Sequence, residues 1–261
     1  MLGGLVAYRF ASSRRLMAQR HMRRVLGPES ANTAARQLFA SYGRYWAEFL
    51  WVRPRRMPGV ASRIRTEGLD MVEEAKRAGR GIIFALPHMG NWEMAVPVAR
   101  LLGIEVLAVA EKLHNRWLTG WLTRLRQDLG INIALSESGT GLIGRLEQAI
   151  AQGRGVALLC DRDLRGRGTH VTFFGEATTL PSGPVSLALR TGASLFPVGT
   201  FFHDGGHFVR ILAPIDLPRD QGRATTLRLG TQMLADRLEE LIRHAPEQWH
   251  LVQPNWPSDR Q

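Results

Sequence analysis

The sequence predicts an α/β protein with a mainly parallel central sheet flanked by helices. Three observations predict it. Short apolar runs at 81–86, 104–110, 131–135 and 155–160 alternate with stretches of helical period. Glycines at 79, 103, 130 and 153 close the helices between them. The run Gly155-Val156-Ala157-Leu158-Leu159-Cys160 is apolar throughout, as expected of a central strand covered on both faces.

The elements follow in order. Residues 1–27 read as helical and end at Gly27-Pro28. A second helix runs from Ser30 to about Val52, with Leu38, Tyr42, Tyr45, Trp46 and Phe49 near helical spacing, and Pro54 and Pro58 end it. Residues 66–78 read as a short strand and a helix. The strand 81–86 precedes a turn and a helix over 91–102, and the strand 104–110 precedes a helix over 114–129 with Trp117, Leu118, Trp121, Leu122 and Leu125 on its apolar side. The strand 131–135 leads to a helix from Thr140 to Ala151, then to the strand 155–160. The stretch Val171 to Pro184, rich in glycine and proline, reads as a rigid loop in which Phe173 and Phe174 pack. A helix from Pro184 to Thr191, strands at 195–202 and 207–212, and a long helix from Arg223 to His244 complete the chain.

With 261 residues, 44% hydrophobic and 22% charged, the chain buries a substantial core and is not disordered. One cysteine, Cys160, excludes an internal disulfide framework and fits a reducing compartment. No cysteine or histidine spacing suggests a metal, and no Walker or dinucleotide-binding glycine loop is present. The net charge of +11 is concentrated early: residues 1–56 hold eleven Arg, no Lys, and only Glu29 and Glu48. Arg9, Arg14, Arg15, Arg20, Arg23 and Arg24 are interleaved with Leu5, Val6, Tyr8, Phe10 and Leu16. That pattern suits an anionic membrane surface, and also reads as a solvated basic face. No apolar run is long enough to span a bilayer, and no signal-peptide order is present. Nucleic acid is the other anionic partner, but no recognised binding motif accompanies the charge. The domain reading is therefore a basic helical membrane-associating region, 1–56, and a single α/β unit, 57–261.

The most informative motif is His88-Met89-Gly90-Asn91-Trp92-Glu93, directly after the strand 81–86 and Pro87. With His88 before a helix and Glu93 on its first turn, the carboxylate would hold the imidazole Nδ1–H and leave Nε2 free as a base. Loop amides near Gly90, or Arg126, would then stabilise an oxyanion. Other ionisable groups stand at strand ends: Glu111-Lys112 after the strand 104–110, and Asp161, Arg162 and Asp163 after the strand 155–160. Ligands of open α/β sheets collect at that edge. Each group also has a plainer reading, as a helix-entry pair for Glu111-Lys112, a surface turn for Asp161-Asp163 and a solvated helix face for Arg126. Ser182 lacks the nucleophile-elbow glycines.

His88–Glu93 resembles the His-x4-Asp/Glu motif of the lysophospholipid acyltransferase superfamily, in its bacterial lipid A/phosphatidylinositol mannoside branch. Further segments resemble the phosphatidylinositol mannoside acyltransferases: Ser41-Tyr42-Gly43-Arg44-Tyr45-Trp46, Leu86-Pro87-His88, Val109-Ala110-Glu111-Lys112-Leu113, Asp161-Arg162-Asp163-Leu164, Phe173-Phe174-Gly175-Glu176 and Trp249-His250-Leu251-Val252-Gln253-Pro254. The resemblance implies a glycerolipid-acyltransferase-like fold and acyl transfer from acyl-CoA, as cosubstrate and without a bound cofactor, to a sugar hydroxyl of a membrane glycolipid. It implies His88 as base, Glu93 and Asp161 as acidic groups of the catalytic set, and Glu111, Arg126, Arg162 and Asp163 on the substrate side. Glu93 stands where the mannoside family usually has Asp, and Asp161 where it has Glu; both swaps keep the charge and change the reach. The implied location is peripheral, on the cytoplasmic face of the inner membrane, and the family's amino-terminal region is longer than the one here. The alternatives are a lipid A-type transferase using acyl carrier protein, and a non-catalytic basic membrane or nucleic-acid binding module.

Overall fold

A computed structural model describes residues 2–111, 113–136, 141–163, 166–218 and 220–260. Three helices open the chain: α1 (Leu2–Phe10), α2 (Ser12–Leu26) and α3 (Pro28–Trp51). Gly27 separates the last two at φ 86°, and Pro28 starts α3 where a missing N–H costs nothing. A 3₁₀ turn (Pro54–Arg56) and α4 (Met57–Ala61) lead to β1 (Ile64–Glu67) and α5 (Leu69–Arg77). Then come β2 (Ile82–Leu86), a 3₁₀ turn (Trp92–Met94), α6 (Ala95–Leu101), β3 (Val106–Glu111), α7 (Arg116–Asp128), β4 (Asn132–Ser136), α8 (Leu142–Ala151) and β5 (Gly155–Leu159). The hairpin β6 (Thr169–Phe173) and β7 (Glu176–Leu180) follows, then α9 (Gly183–Thr191), β8 (Ser194–His203), β9 (Gly206–Ile211) and α10 (Arg223–His244).

Seven strands form one sheet in the order β1-β9-β8-β2-β5-β3-β4. Every neighbouring pair is parallel except β8 with β9, which run antiparallel as a hairpin closed at Asp204-Gly205. The mainly parallel α/β sheet flanked by helices that the sequence predicts is therefore the observed one. β2, buried at all five positions, is the middle strand, and β5 lies inside the sheet beside it. No helix among the described residues is long and apolar enough to cross a membrane.

Several elements differ from expectation. The segment read as a rigid loop at 171–184 contains the β6/β7 hairpin. Its two-residue turn, Phe174-Gly175, has positive φ at both positions (49° and 75°), the geometry that matches strand twist but normally calls for Asn or Gly. Phe174 is held there by packing: its ring lies 4.7 Å from that of Phe173 and 5.7 Å from Trp249. The helix expected over 91–102 is split into the 3₁₀ turn and α6, because Asn91 is extended (φ −123°, ψ 90°). On α7, Trp117 and Trp121 are exposed and stack in parallel at 6.1 Å, while Thr119 and Leu122 face inward. Lys112, Thr140 and Leu164 lie outside the described residues.

The amino-terminal helices share the main core. Met22 of α2 and Ala35 and Leu38 of α3 belong to the same buried cluster as Trp249, Trp256 and Leu238 of α10. Part of the early basic charge is spent internally. Arg24 pairs with Glu176 (2.7 Å) and Asp259 (2.8 Å) and lies 4.3 Å over the Trp256 ring. Arg20 donates to the carbonyls of Ser258 and Asp259. Those two arginines pin the carboxyl terminus. Val6, Phe10 and Leu16 remain on the surface.

Candidate active site

β2 and β5 are parallel neighbours, with Leu86 opposite Leu159. Two residues beyond that pair the chain reaches His88 on one side and Asp161 on the other. The Asp161 carboxylate accepts from His88 Nδ1 at 2.6 Å through Oδ1 and from the His88 amide at 3.0 Å through Oδ2. Trp249 Nε1 donates to the same Oδ2 at 2.7 Å, and Asn255 Nδ2 donates to the Asp161 carbonyl at 3.0 Å. A carboxylate only accepts, so Nδ1 carries a proton, and in the neutral ring Nε2 then carries the lone pair. The Asp161 side chain is fully buried and that of His88 is 35% exposed. Burial pushes the Asp161 carboxyl up, but the His88 imidazole, its hydrogen bond and the Trp249 indole outweigh it and hold the group below the usual carboxylate range.

The orientation of His88 is fixed from behind by the carboxyl-terminal segment. His250 N donates to the His88 carbonyl (2.7 Å), Gly90 N to the Gln248 carbonyl (2.9 Å), and Met89 pairs with Trp249 in a single antiparallel bridge. Thr200 of β8 donates to the Met89 carbonyl at 2.7 Å. Gly90 is required: it sits at φ 55°, and a Cβ there would fall 2.0 Å from the Thr200 carbonyl oxygen.

Glu93 does not hold His88. The left-handed Gly90 and extended Asn91 swing the chain so that Glu93 lands beneath α3 and α7. Its Oε1 accepts from Tyr45 Oη at 3.1 Å and Arg126 Nε at 3.2 Å, and its Oε2 is buried with no partner among the described residues. Burial raises the Glu93 carboxyl, with Arg126 opposing it only in part. Arg126 is sandwiched between Phe49 (5.3 Å) and Trp92 (5.0 Å). Arg126 Nε and the amides from His88 to Gly90 are thus already engaged. The oxyanion role read for the Gly90 amide does not fit this arrangement.

The remaining residues divide. Glu111, at the end of β3, meets Arg162, after β5, at 3.3 Å. This pair flanks the His88–Asp161 pair at the same sheet edge. Asp163 turns away: its Oδ2 accepts from the Gly168 amide (2.6 Å) and Thr179 Oγ1 (2.8 Å), bracing the base of the β6/β7 hairpin. Ser182 precedes α9 without a base beside it among the described residues. Trp249, Asn255 and Tyr45 were not among the residues singled out individually for the site. Nothing in their spacing marks them, since Trp249 meets Asp161 across 88 residues of chain.

The fold and this edge together define a class: an α/β enzyme with an imidazole, backed by a buried carboxylate, at the carboxyl ends of its central strands. Comparison with known proteins gives the family. The bacterial lipid A biosynthesis acyltransferase model matches residues 1–258, and the chain belongs to that family and is an acyltransferase. It is 36% identical to a phosphatidylinositol mannoside acyltransferase of Mycolicibacterium smegmatis, over 92% of this chain and 79% of that protein. It is 34% identical to one from Mycobacterium tuberculosis, over 92% of this chain and 77% of that protein.

Proposed function

We propose that this protein transfers a fatty acyl chain from acyl-CoA to a sugar hydroxyl of a phosphatidylinositol mannoside, with His88 as the base. The observation that carries the reading is the 2.6 Å bond from His88 Nδ1 to Asp161, which leaves Nε2 as an acceptor on a partly exposed ring. Nε2 takes the proton of the acceptor hydroxyl as its oxygen attacks the thioester carbonyl. Asp161 holds the tautomer and stabilises the imidazolium. The tetrahedral intermediate collapses to the ester and expels the thiolate, which needs little help because a thiol pKa is about 8.5. The imidazolium then returns its proton to solvent or thiolate.

Glu111 and Arg162 border this centre and suit a polar substrate group. An apolar cavity of about 30 Å³ lies below the loop, among Phe84, Leu86, Trp92, Val96, Val198 and Ile211. The exposed Val6, Phe10 and Leu16, beside Arg9 and Arg14, support peripheral attachment to an anionic membrane, on the cytoplasmic face where acyl-CoA is found.

The test is thiol release from palmitoyl-CoA with phosphatidylinositol mannosides in liposomes, wild type beside His88→Ala. Release that needs both wild-type enzyme and acceptor supports the reading. Near-normal turnover by folded His88→Ala refutes the base. Release only from acyl carrier protein with lipid A-type acceptors replaces both donor and acceptor.

A further inference from the structure

We infer that the cavity between α3, α4 and the β8/β9 hairpin is a phosphate-binding subsite. It has a volume of about 490 Å³ and is lined by Arg44, Arg55, Arg56 and Arg63, with Glu48 and His207 among its other walls. Four arginines and one glutamate therefore line one concave site, where the walls concentrate their field.

The charge is only partly consumed inside the protein. Glu48 answers Arg44 (2.8 Å), and its Oε2 lies 3.3 Å from His207 Nε2. Arg56 donates to the Trp51 carbonyl at 2.7 Å and lies 4.4 Å over the Trp51 ring, so its position is set while most of its donors stay outward. Arg55 and Arg63 are exposed and have no ion pair or side-chain hydrogen bond among the described residues. Planar guanidinium forks suit phosphate oxygens better than any other biological anion except a carboxylate.

The cavity is tied to the reaction centre. Asn91, on the loop that carries His88, donates to Glu48 Oε2 at 3.2 Å. The same carboxylate thus touches both the cavity wall and the catalytic loop. Trp51, half exposed in the cavity wall, gives the mouth an apolar edge of the kind found at a lipid interface. Two sources of phosphate fit: the headgroup of an anionic lipid, or the phosphates of the acyl-CoA donor, the second resting on the reading above.

The experiment compares wild type, Arg55→Gln/Arg63→Gln, and an equal-charge control, Arg77→Gln/Arg80→Gln, whose sites lie at the end of α5 and outside the cavity lining. All three are first matched for thermal unfolding; both pairs are on the surface. Binding is then measured to phosphatidylcholine vesicles with and without phosphatidylglycerol, and to free CoA by calorimetry. The cavity variant is expected to lose roughly tenfold or more in affinity for one probe, with the control within about twofold of wild type. Loss confined to phosphatidylglycerol vesicles assigns the lipid headgroup, and loss confined to CoA assigns the donor. Wild-type binding of both probes by the cavity variant overturns the subsite. An equal loss in the control also overturns it, because the effect is then diffuse surface charge.

Discussion

His88 and Asp161 occupy the same register position, two residues beyond the paired Leu86 and Leu159 on adjacent parallel strands. Neither side chain reaches for the other; the sheet delivers them side by side. The aspartate then has three donors to satisfy, Nδ1 and the amide of His88 and the Trp249 indole. Its position is set by strands and a buried tryptophan, and a shorter side chain suffices where both backbones are already close.

Asp161→Asn should therefore disable chemistry with the fold intact. An amide that keeps its oxygen on Nδ1 sets its NH2 against two donors, the His88 amide and the Trp249 indole, so it is driven to the reverse orientation, whose N–H faces Nδ1 and favours the wrong imidazole tautomer. By analogy with the serine-protease triad, the fall in kcat is on the order of 10³-fold to 10⁴-fold. Steady-state rates beside circular dichroism check this. A kcat within tenfold of wild type would mean that Asp161 does not orient the base.

Glu93→Gln should behave in the opposite way. Glu93 pairs with Arg126 and Tyr45 deep between α3, α7 and the 3₁₀ turn, away from the imidazole. Removing one charge of a buried pair leaves the other uncompensated, at a cost of about 3–5 kcal/mol. The raised carboxyl of Glu93 shows that burial already works against its charge, so the true cost lies toward the low end. Urea unfolding should register the loss, while kcat per folded molecule stays within about tenfold. A kcat loss as deep as that of Asp161→Asn, in a variant of normal stability, would restore Glu93 to the catalytic set.

The fold was largely legible because period and punctuation suffice for it. α10 begins and ends at Arg223 and His244 as the leucine spacing predicts, and the apolar run at 155–159 lies inside the sheet. The hairpin at 169–180 was hidden by Phe174, which takes a turn conformation that its side chain does not advertise. Of the candidate site, His88, Asp161, Glu111 and Arg162 were legible as residues of one sheet edge and not as pairs, while Glu93 with Arg126, and Asp163, belong to other networks. Pairing His88 with Glu93 followed sequence proximity, whereas the real neighbour depends on β5 inserting beside β2, a matter of strand order that no local pattern encodes. The basic amino terminus was legible as charge and not as contacts: Arg20 and Arg24 turn inward to Ser258, Asp259 and Glu176.

Gly90→Ala should damage both stability and activity. The residue is left-handed, and its Cβ would meet backbone, the Thr200 carbonyl, which cannot rotate aside. Left-handed strain alone costs about 1–2 kcal/mol, and the clash adds to it by displacing the loop that carries His88. A shift of about 1 Å at a base can cost on the order of 10²-fold in rate. The midpoint of urea unfolding and kcat should fall together. An unchanged midpoint would show that the loop relaxes freely and that its fixed geometry is not needed.

Asp259 should set part of the acid sensitivity of the fold. It lies in the carboxyl-terminal turn, where its Oδ2 faces His21 Nε2 (3.2 Å) and accepts from the amides of Asn255 (2.9 Å) and Trp256 (3.1 Å), while Arg24 pairs with Oδ1. Burial raises its carboxyl, but the His21 bond and the two amides prevail and depress it far below the ordinary range. A group with a depressed folded pKa stabilises the fold fully above its unfolded value, about 3.9 for Asp. That stabilisation is lost as pH falls from there through the folded pKa. Wild-type Tm should therefore drop steeply below about pH 4. Asp259→Asn should be less stable at pH 7, because Arg24 and His21 each lose one anionic partner, and its Tm should vary less across the acid range. Thermal melts of both proteins from pH 7 down to about pH 3 decide the matter: curves that converge as the pH falls support the assignment, and curves that stay parallel throughout refute it.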